Sequence, residues 1–284
     1  MLTNPINFLA HVKGSGATGT FGYPAPVLDA LLRIFGWRFL LITGDPSVLD
    51  RWMWVRKHLM RGPVRTFDAG CGNGVFSIYA ASTGNGVVAA SFSPTEQESA
   101  RERARTLGVT GIDFRQIDLR ELPEHREELG AFDQVICLET IEHVRDDQAL
   151  VETLAAMLEP GGRILLSTPN VEHRPLYTED PDPSPEEDGS HVRYGYSPER
   201  LAQLAAAAGL EVREEAFISG VVSQKLTDLM RRLTLRMGLA PAWLIVLVLR
   251  PLVLLDAPLS ALLGYPYLSV ALWAVKAPGD RAVE

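Results

Sequence analysis

The stretch Phe67-Asp68-Ala69-Gly70-Cys71-Gly72-Asn73-Gly74 constrains this chain most, because a strand-like run, Val64-Arg65-Thr66, precedes it and a helix opens at Val75. A strand ending in a carboxylate, then glycines at alternate positions, then a helix, has a specific physical use. Without a Cβ the backbone turns tightly and comes within contact distance of a ligand. The amides that open the helix then face the ligand's negative end. The spacing is GxGxG rather than GxGxxG, and the acid sits two residues before the first glycine. An ordinary glycine-rich turn is the competing interpretation. It loses weight because strand and helix both stand where the motif needs them.

The chain around this loop alternates. Short apolar runs at 64–67, 87–91, 112–116, 134–138 and 163–167 predict strands, and helical patterns such as 95–107 and 148–158 separate most of them. Such alternation implies a parallel sheet covered on both faces. A helix over 198–208, a strand over 211–218 and a last strand over 268–276 complete the pattern. Short helical pieces at 28–35 and 48–60 precede the core, with Trp52 and Trp54 read as packing residues. The acidic, proline-rich stretch 179–188 reads as a solvated loop.

With 284 residues the chain can bury a full α/β core, and its net charge of −8 argues against a broad nucleic-acid footprint. Cys71 and Cys137 are its two cysteines, which fits buried thiols in a reducing cytosol. The start, Met1-Leu2-Thr3-Asn4-Pro5, shows neither a basic leader nor a long apolar region, so a cytoplasmic location is expected.

The glycine loop with its preceding acid resembles the first motif of class I S-adenosylmethionine (SAM)-dependent methyltransferases. The similarity covers about 61–218 plus the final strand, and it extends to the methyltransferase type 11 group. It implies an α/β, Rossmann-like, doubly wound sheet of seven strands with the last strand antiparallel between its neighbours. The chain then divides into a helical cap (1–60), a SAM-binding core (61–218), an apolar helical insertion (219–266) and a final strand with a tail (267–284).

SAM carries an amino acid, a ribose and an adenine, and each needs its own contact. Asp68 is placed to reach the amino group, and the amides around Gly70, Cys71 and Gly72 to approach the methionine and ribose. About 23 residues after Asp68, where an acid commonly meets the ribose hydroxyls, stands Ser91. The string Ser91-Phe92-Ser93-Pro94 resembles the variant in cyclopropane-fatty-acid synthases and tocopherol methyltransferases. Ser91, with Glu96 or Gln97, is the candidate ribose contact, and Phe92 packs either on adenine or in the core. Asp118, followed by Leu119, resembles the motif that accepts from the adenine amino group; a helix cap is the alternative.

The fourth strand runs into Glu139-Thr140-Ile141-Glu142-His143, an i, i+3, i+4 set that a helical turn would gather on one side. Together with Ser190-His191-Val192-Arg193-Tyr194, it is similar to ubiquinone-biosynthesis O-methyltransferases and to small-RNA 2′-O-methyltransferases. That resemblance implies a metal, Mg²⁺ or another divalent ion, on Glu139, Glu142, His143 and His191. In relatives without metal the first Glu lines the SAM methionine end, and the His is a general base or a structural residue. His143 and Glu142 are the catalytic candidates, and His173 and Tyr177 are second-rank acceptor contacts.

In the insertion, Val222, Leu226, Leu229, Met230, Leu233 and Met237 fall on one helical arc, away from Lys225, Arg231, Arg232 and Arg236. The run from Ala242 to Leu249 is too short for a span, and Arg250-Pro251 separates it from the next apolar residues, Leu252 to Leu255. A lid over a lipophilic acceptor, an in-plane contact with the inner face of a membrane, a homodimer interface and a helical pair packed on the core all remain open. The expected function is O-methylation of a lipophilic or membrane-associated small molecule. C-methylation of an isoprenoid or aromatic ring, or a non-catalytic SAM-binding partner protein, is the alternative.

Overall fold

A computed structural model describes residues 25–43, 46–174 and 182–278. Tyr177, residues 1–24 of the expected cap and residues 179–181 of the acidic stretch lie outside the described residues.

Seven strands form one sheet: β1 (Arg65–Ala69), β2 (Gly86–Ser91), β3 (Ile112–Gln116), β4 (Phe132–Leu138), β5 (Leu158–Pro169), β6 (Leu210–Ile218) and β7 (Ser269–Lys276). Their order is β3-β2-β1-β4-β5-β7-β6. The pairs from β3 through β5 are parallel, whereas β7 runs antiparallel to β5, from Arg163↔Val275 to Pro169↔Ser269. The doubly wound seven-stranded sheet expected from the sequence is therefore the fold. Strand order reverses at β1, which has β2 on one side and β4 on the other. In an open α/β sheet the ligand crevice lies at the carboxyl ends of the strands at such a reversal.

The helices are α1 (Ala25–Phe35), α2 (Arg38–Thr43), α3 (Pro46–His58), α4 (Val75–Ser82), α5 (Pro94–Leu107), α6 (Leu122–Leu129), α7 (Asp147–Ala156), α8 (Pro198–Ala207), α9 (Val221–Met237), α10 (Leu239–Leu249) and α11 (Asp256–Leu263). Local chemistry sets their starts. Ser93 caps α5 by accepting from the Glu96 amide at 3.3 Å, and Pro94 occupies the first turn; Ser197 and Pro198 repeat the device at α8.

The chain divides into two compact units. One holds residues 55–172, 183–217 and 269–278, that is, the sheet. Its core centres on Phe67, Phe132, Val135, Leu154, Ile164, Leu166 and Leu272, with the Phe67 and Phe132 rings 5.3 Å apart. The other gathers 25–54 with 218–268 and a short piece at His173, so the two flanking additions expected separately form one unit. Within that unit Trp54 is buried and Trp52 lies against Trp37.

Candidate active site

β1 carries Asp68 into the crevice, and the chain then turns through Gly70 (φ +78°) and Gly72 (φ +49°), left-handed positions that glycine tolerates. The two glycines do different work. A Cβ on Gly70 would collide with the Thr140 side chain, so Gly70 lets the loop close against the turn after β4. A Cβ on Gly72 meets nothing within 4 Å, which leaves a face open to a ligand. Asp68 is buried and accepts from the Ser77 hydroxyl at the start of α4. Burial pushes its carboxyl up to about 6. Behind the loop, the buried Arg103 guanidinium donates to the Asn73 carbonyl at 2.8 Å. Burial also holds the Cys71 thiol in its neutral form, as an apolar lining residue.

At the end of β2 the Ser91 hydroxyl donates to Glu96 Oε2 at 3.0 Å. Glu96, on the first turn of α5, thus brings a carboxylate to the place where the strand itself has none. Gln97 is spent elsewhere: its amide donates to the Ala89 and Arg115 carbonyls at 3.2 and 2.9 Å, tying α5 to the sheet. Phe92 is 56% exposed, which removes the core-packing reading and leaves its ring available beside Gly189. Asp118 takes the capping role: it accepts from the Arg120 amide at 3.0 Å and pairs with the Arg120 guanidinium. That guanidinium holds the Asp118 carboxyl below the usual carboxylate range. Leu119 beside it is buried.

The turn after β4 departs from the helical arrangement expected for Glu139, Glu142 and His143. Only Ile141–His143 forms a 3₁₀ turn, and Glu139 before it has φ +50°. The positive φ sends Glu139 another way, where its carboxylate accepts from Ser167 at 2.8 Å and Ser269 at 3.2 Å. Glu142, His143 and His191 do come together, with one ligand atom from each within 4.8 Å of the others. The four-residue set is thereby reduced to three, with Glu139 outside it. The Glu142 side chain is fully buried; Oε2 accepts from Thr168 at 3.2 Å, and Oε1 stands 3.8 Å from His143 Nε2 and 4.0 Å from His191 Nε2. The two imidazoles meet edge to face at 4.7 Å. Burial lowers the His143 pKa, which favours the neutral ring. His173 is half-buried and belongs to the other unit.

Residues that the sequence did not single out hold this turn in place. Arg193 donates to the Ile141, Val144 and Arg145 carbonyls at 3.0, 2.8 and 2.8 Å. It also bonds the Tyr196 hydroxyl, which in turn donates to Asp147 at 2.8 Å. About fifty residues separate Arg193 from these carbonyls, so no local spacing announces the clamp. The Ser-Pro-x-Glu pattern at 93–96, a helix start with an acid in its first turn, is the signal that places Glu96.

A parallel sheet reversing at β1, a glycine loop with one open face and a carboxylate under it define a nucleoside-binding α/β protein. The chain belongs to the family described as methyltransferase domain, whose model matches residues 28–215. The family's cofactor is SAM, and the open face at Gly72 with Asp68 and Glu96 around it fits that ligand. A ubiquinone biosynthesis O-methyltransferase of Xanthomonas axonopodis pv. citri (strain 306) is 36% identical over 117 residues, covering 41% of this chain and 48% of the relative. The chain thus spans about half the length of the curated relatives it matches. Among solved structures, phosphoethanolamine N-methyltransferase 2 of Haemonchus contortus with SAM superposes with a TM-score of 0.56 at 19% identity, over 88% of this chain and 59% of that one. The [4+2]-cyclase SpnF gives 0.54 at 18% identity, over 94% and 86%. At such identities the likeness concerns the fold.

Proposed function

We propose that this chain transfers the methyl group of SAM to a hydroxyl of a lipophilic small molecule, with the acceptor seated over Glu142, His143 and His191. The grouping of these three side chains at the carboxyl end of β4, next to the glycine-loop strand, carries the reading. Relatives named for ubiquinone biosynthesis support a hydroxyl on a lipophilic ring as the acceptor. Two buried free cysteines suit a cytoplasmic enzyme.

SAM supplies an electrophilic methyl, so this chain's residues have two tasks, to orient the acceptor and to take its proton. His143, kept neutral by burial, is able to accept that proton, and Glu142 beside it stabilises the imidazolium that forms. The Arg193 clamp holds the turn bearing both. The donor set of one carboxylate and two imidazoles also fits a divalent ion, which would lower the acceptor hydroxyl's pKa. Chelator-treated protein distinguishes the two routes. Loss of turnover, restored by Mg²⁺ or Mn²⁺, supports the metal. Full turnover in chelator, with a single ionisation at or below the ordinary histidine value of about 6.5, assigns the proton to His143. Turnover unchanged by both His143→Ala and Glu142→Ala contradicts the proposal.

A further inference from the structure

Within the 23-residue helical run Pro241–Leu263, an 18-residue stretch has a mean hydropathy of 2.0, yet only 28% of that stretch is buried. Two of its flanks are covered within its own unit. Ala242, Val246 and Val253 are buried on one flank, where Leu226, Leu229 and Leu233 of α9 join the same cluster. On another, Trp243 Nε1 donates to the Ile42 carbonyl at 2.6 Å and Arg250 Nη1 to the Leu41 carbonyl at 3.1 Å, against α2. The apolar arc of the amphipathic α9, Met237 apart, is therefore spent on its neighbour. The exposed apolar face lies on the next helices instead. Leu244 and Val248 on α10, Leu252 and Leu255 in the 3₁₀ stretch Arg250–Leu255 and Leu262 on α11 are all exposed, Val248 and Leu262 to 78% and 79%. A helix apolar all round, with one side left in water, needs a cover.

Charge says what that cover is. The chain carries a net charge of −8, yet from Leu229 to Leu255 its charged residues are Arg231, Arg232, Arg236 and Arg250, with no acid among them. Asp256, the next acid, is buried and turned inward, accepting from the Gly220 and Val222 amides at the start of α9 at 2.6 and 2.7 Å. Exposed Arg236 stands beside exposed Leu235 and Met237 at the tip where α9 turns into α10, with exposed Arg232 one turn earlier paired to Asp228 at 2.8 Å. An apolar strip with the exposed Arg236 at one end, on an otherwise acidic chain, complements a bilayer surface bearing anionic headgroups. A transbilayer crossing conflicts with the topology. The insertion leaves the sheet after β6 and returns as β7, and these strands are neighbours in one sheet.

We infer that the exposed apolar side chains of the run Pro241–Leu263, namely Leu244, Val248, Leu252, Leu255 and Leu262, dock in the plane of a membrane rich in anionic lipid. The test is co-sedimentation of the full chain with phosphatidylcholine vesicles with and without phosphatidylglycerol, across salt concentrations. Val248→Glu with Leu262→Glu serves as the variant, because both positions are exposed and tolerate a charge without disturbing the core. Wild type is expected to favour the anionic vesicles and to lose only part of its binding at high salt, since apolar insertion is not screened. The double variant should bind at least tenfold more weakly while retaining SAM affinity, and Arg236→Gln should cost roughly fivefold at low salt. No partition at any salt, equal partition into neutral vesicles, or a double variant that partitions like wild type overturns the inference. So does a dimer, seen by light scattering, that the double variant splits while vesicles bind neither protein. Partition is read without turnover, so its failure leaves the methyl-transfer reading standing.

Discussion

The Ser91 hydroxyl and the Glu96 carboxylate stand 3.0 Å apart, joining the end of β2 to the first turn of α5. Ser93 caps the helix and Pro94 starts it, so Glu96 comes round to face the strand end. A carboxylate that related folds place on the strand is here delivered from the helix.

If Glu96 accepts from the ribose hydroxyls, Glu96→Ala removes that acceptor. A hydrogen bond to a charged group is worth about 1.5–3 kcal/mol, so the SAM dissociation constant should rise roughly ten- to hundredfold by calorimetry. Ser91→Ala should cost less, because the carboxylate remains. An unchanged affinity in Glu96→Ala would place the ribose elsewhere.

The two loop glycines should separate folding from binding. Gly72→Val projects into open space but is strained at φ +49°, so it is expected to abolish SAM binding with a modest loss of melting temperature and the circular dichroism spectrum unchanged. Gly70→Val meets Thr140 inside the protein, so it should lower the melting temperature first. Equal melting temperatures for the two variants would contradict this division of roles.

Much of this arrangement was legible in the residues. The strand–glycine–helix run and the alternation of apolar segments implied the parallel sheet, and the resemblance to class I methyltransferases implied the antiparallel last strand. Glu142, His143 and His191 were also legible. Glu139 was misplaced because i, i+3, i+4 spacing assumes a helix, and one residue at positive φ breaks that geometry. The arc on α9 is a true helical periodicity, but periodicity does not say which neighbour covers it. Here α10, apolar on every side, takes that arc and keeps an open face of its own. Arg193 was silent because its partners lie far away in sequence.

With Asp68 as the contact for the amino group of SAM, binding is expected to depend on pH. Its folded pKa of about 6 lies above the ordinary 3.8, so folding favours the protonated form. The stability this contributes is full below 3.8 and is lost as pH rises through about 6. SAM's ammonium group needs the carboxylate, so affinity should run the opposite way, increasing as pH climbs through the same window. Asp68→Asn should flatten both dependences. Chemical denaturation and calorimetry between pH 4 and pH 8 read the two slopes, and parallel slopes would contradict the assignment.

Transfer of radiolabelled methyl from SAM into a fractionated lipophilic extract tests the central claim most directly. Label is expected in a product whose new methyl sits on oxygen, and incorporation should fall at least a hundredfold in His143→Ala while SAM binding stays within twofold of wild type. Label on carbon or nitrogen, or undiminished transfer by His143→Ala, would contradict the account.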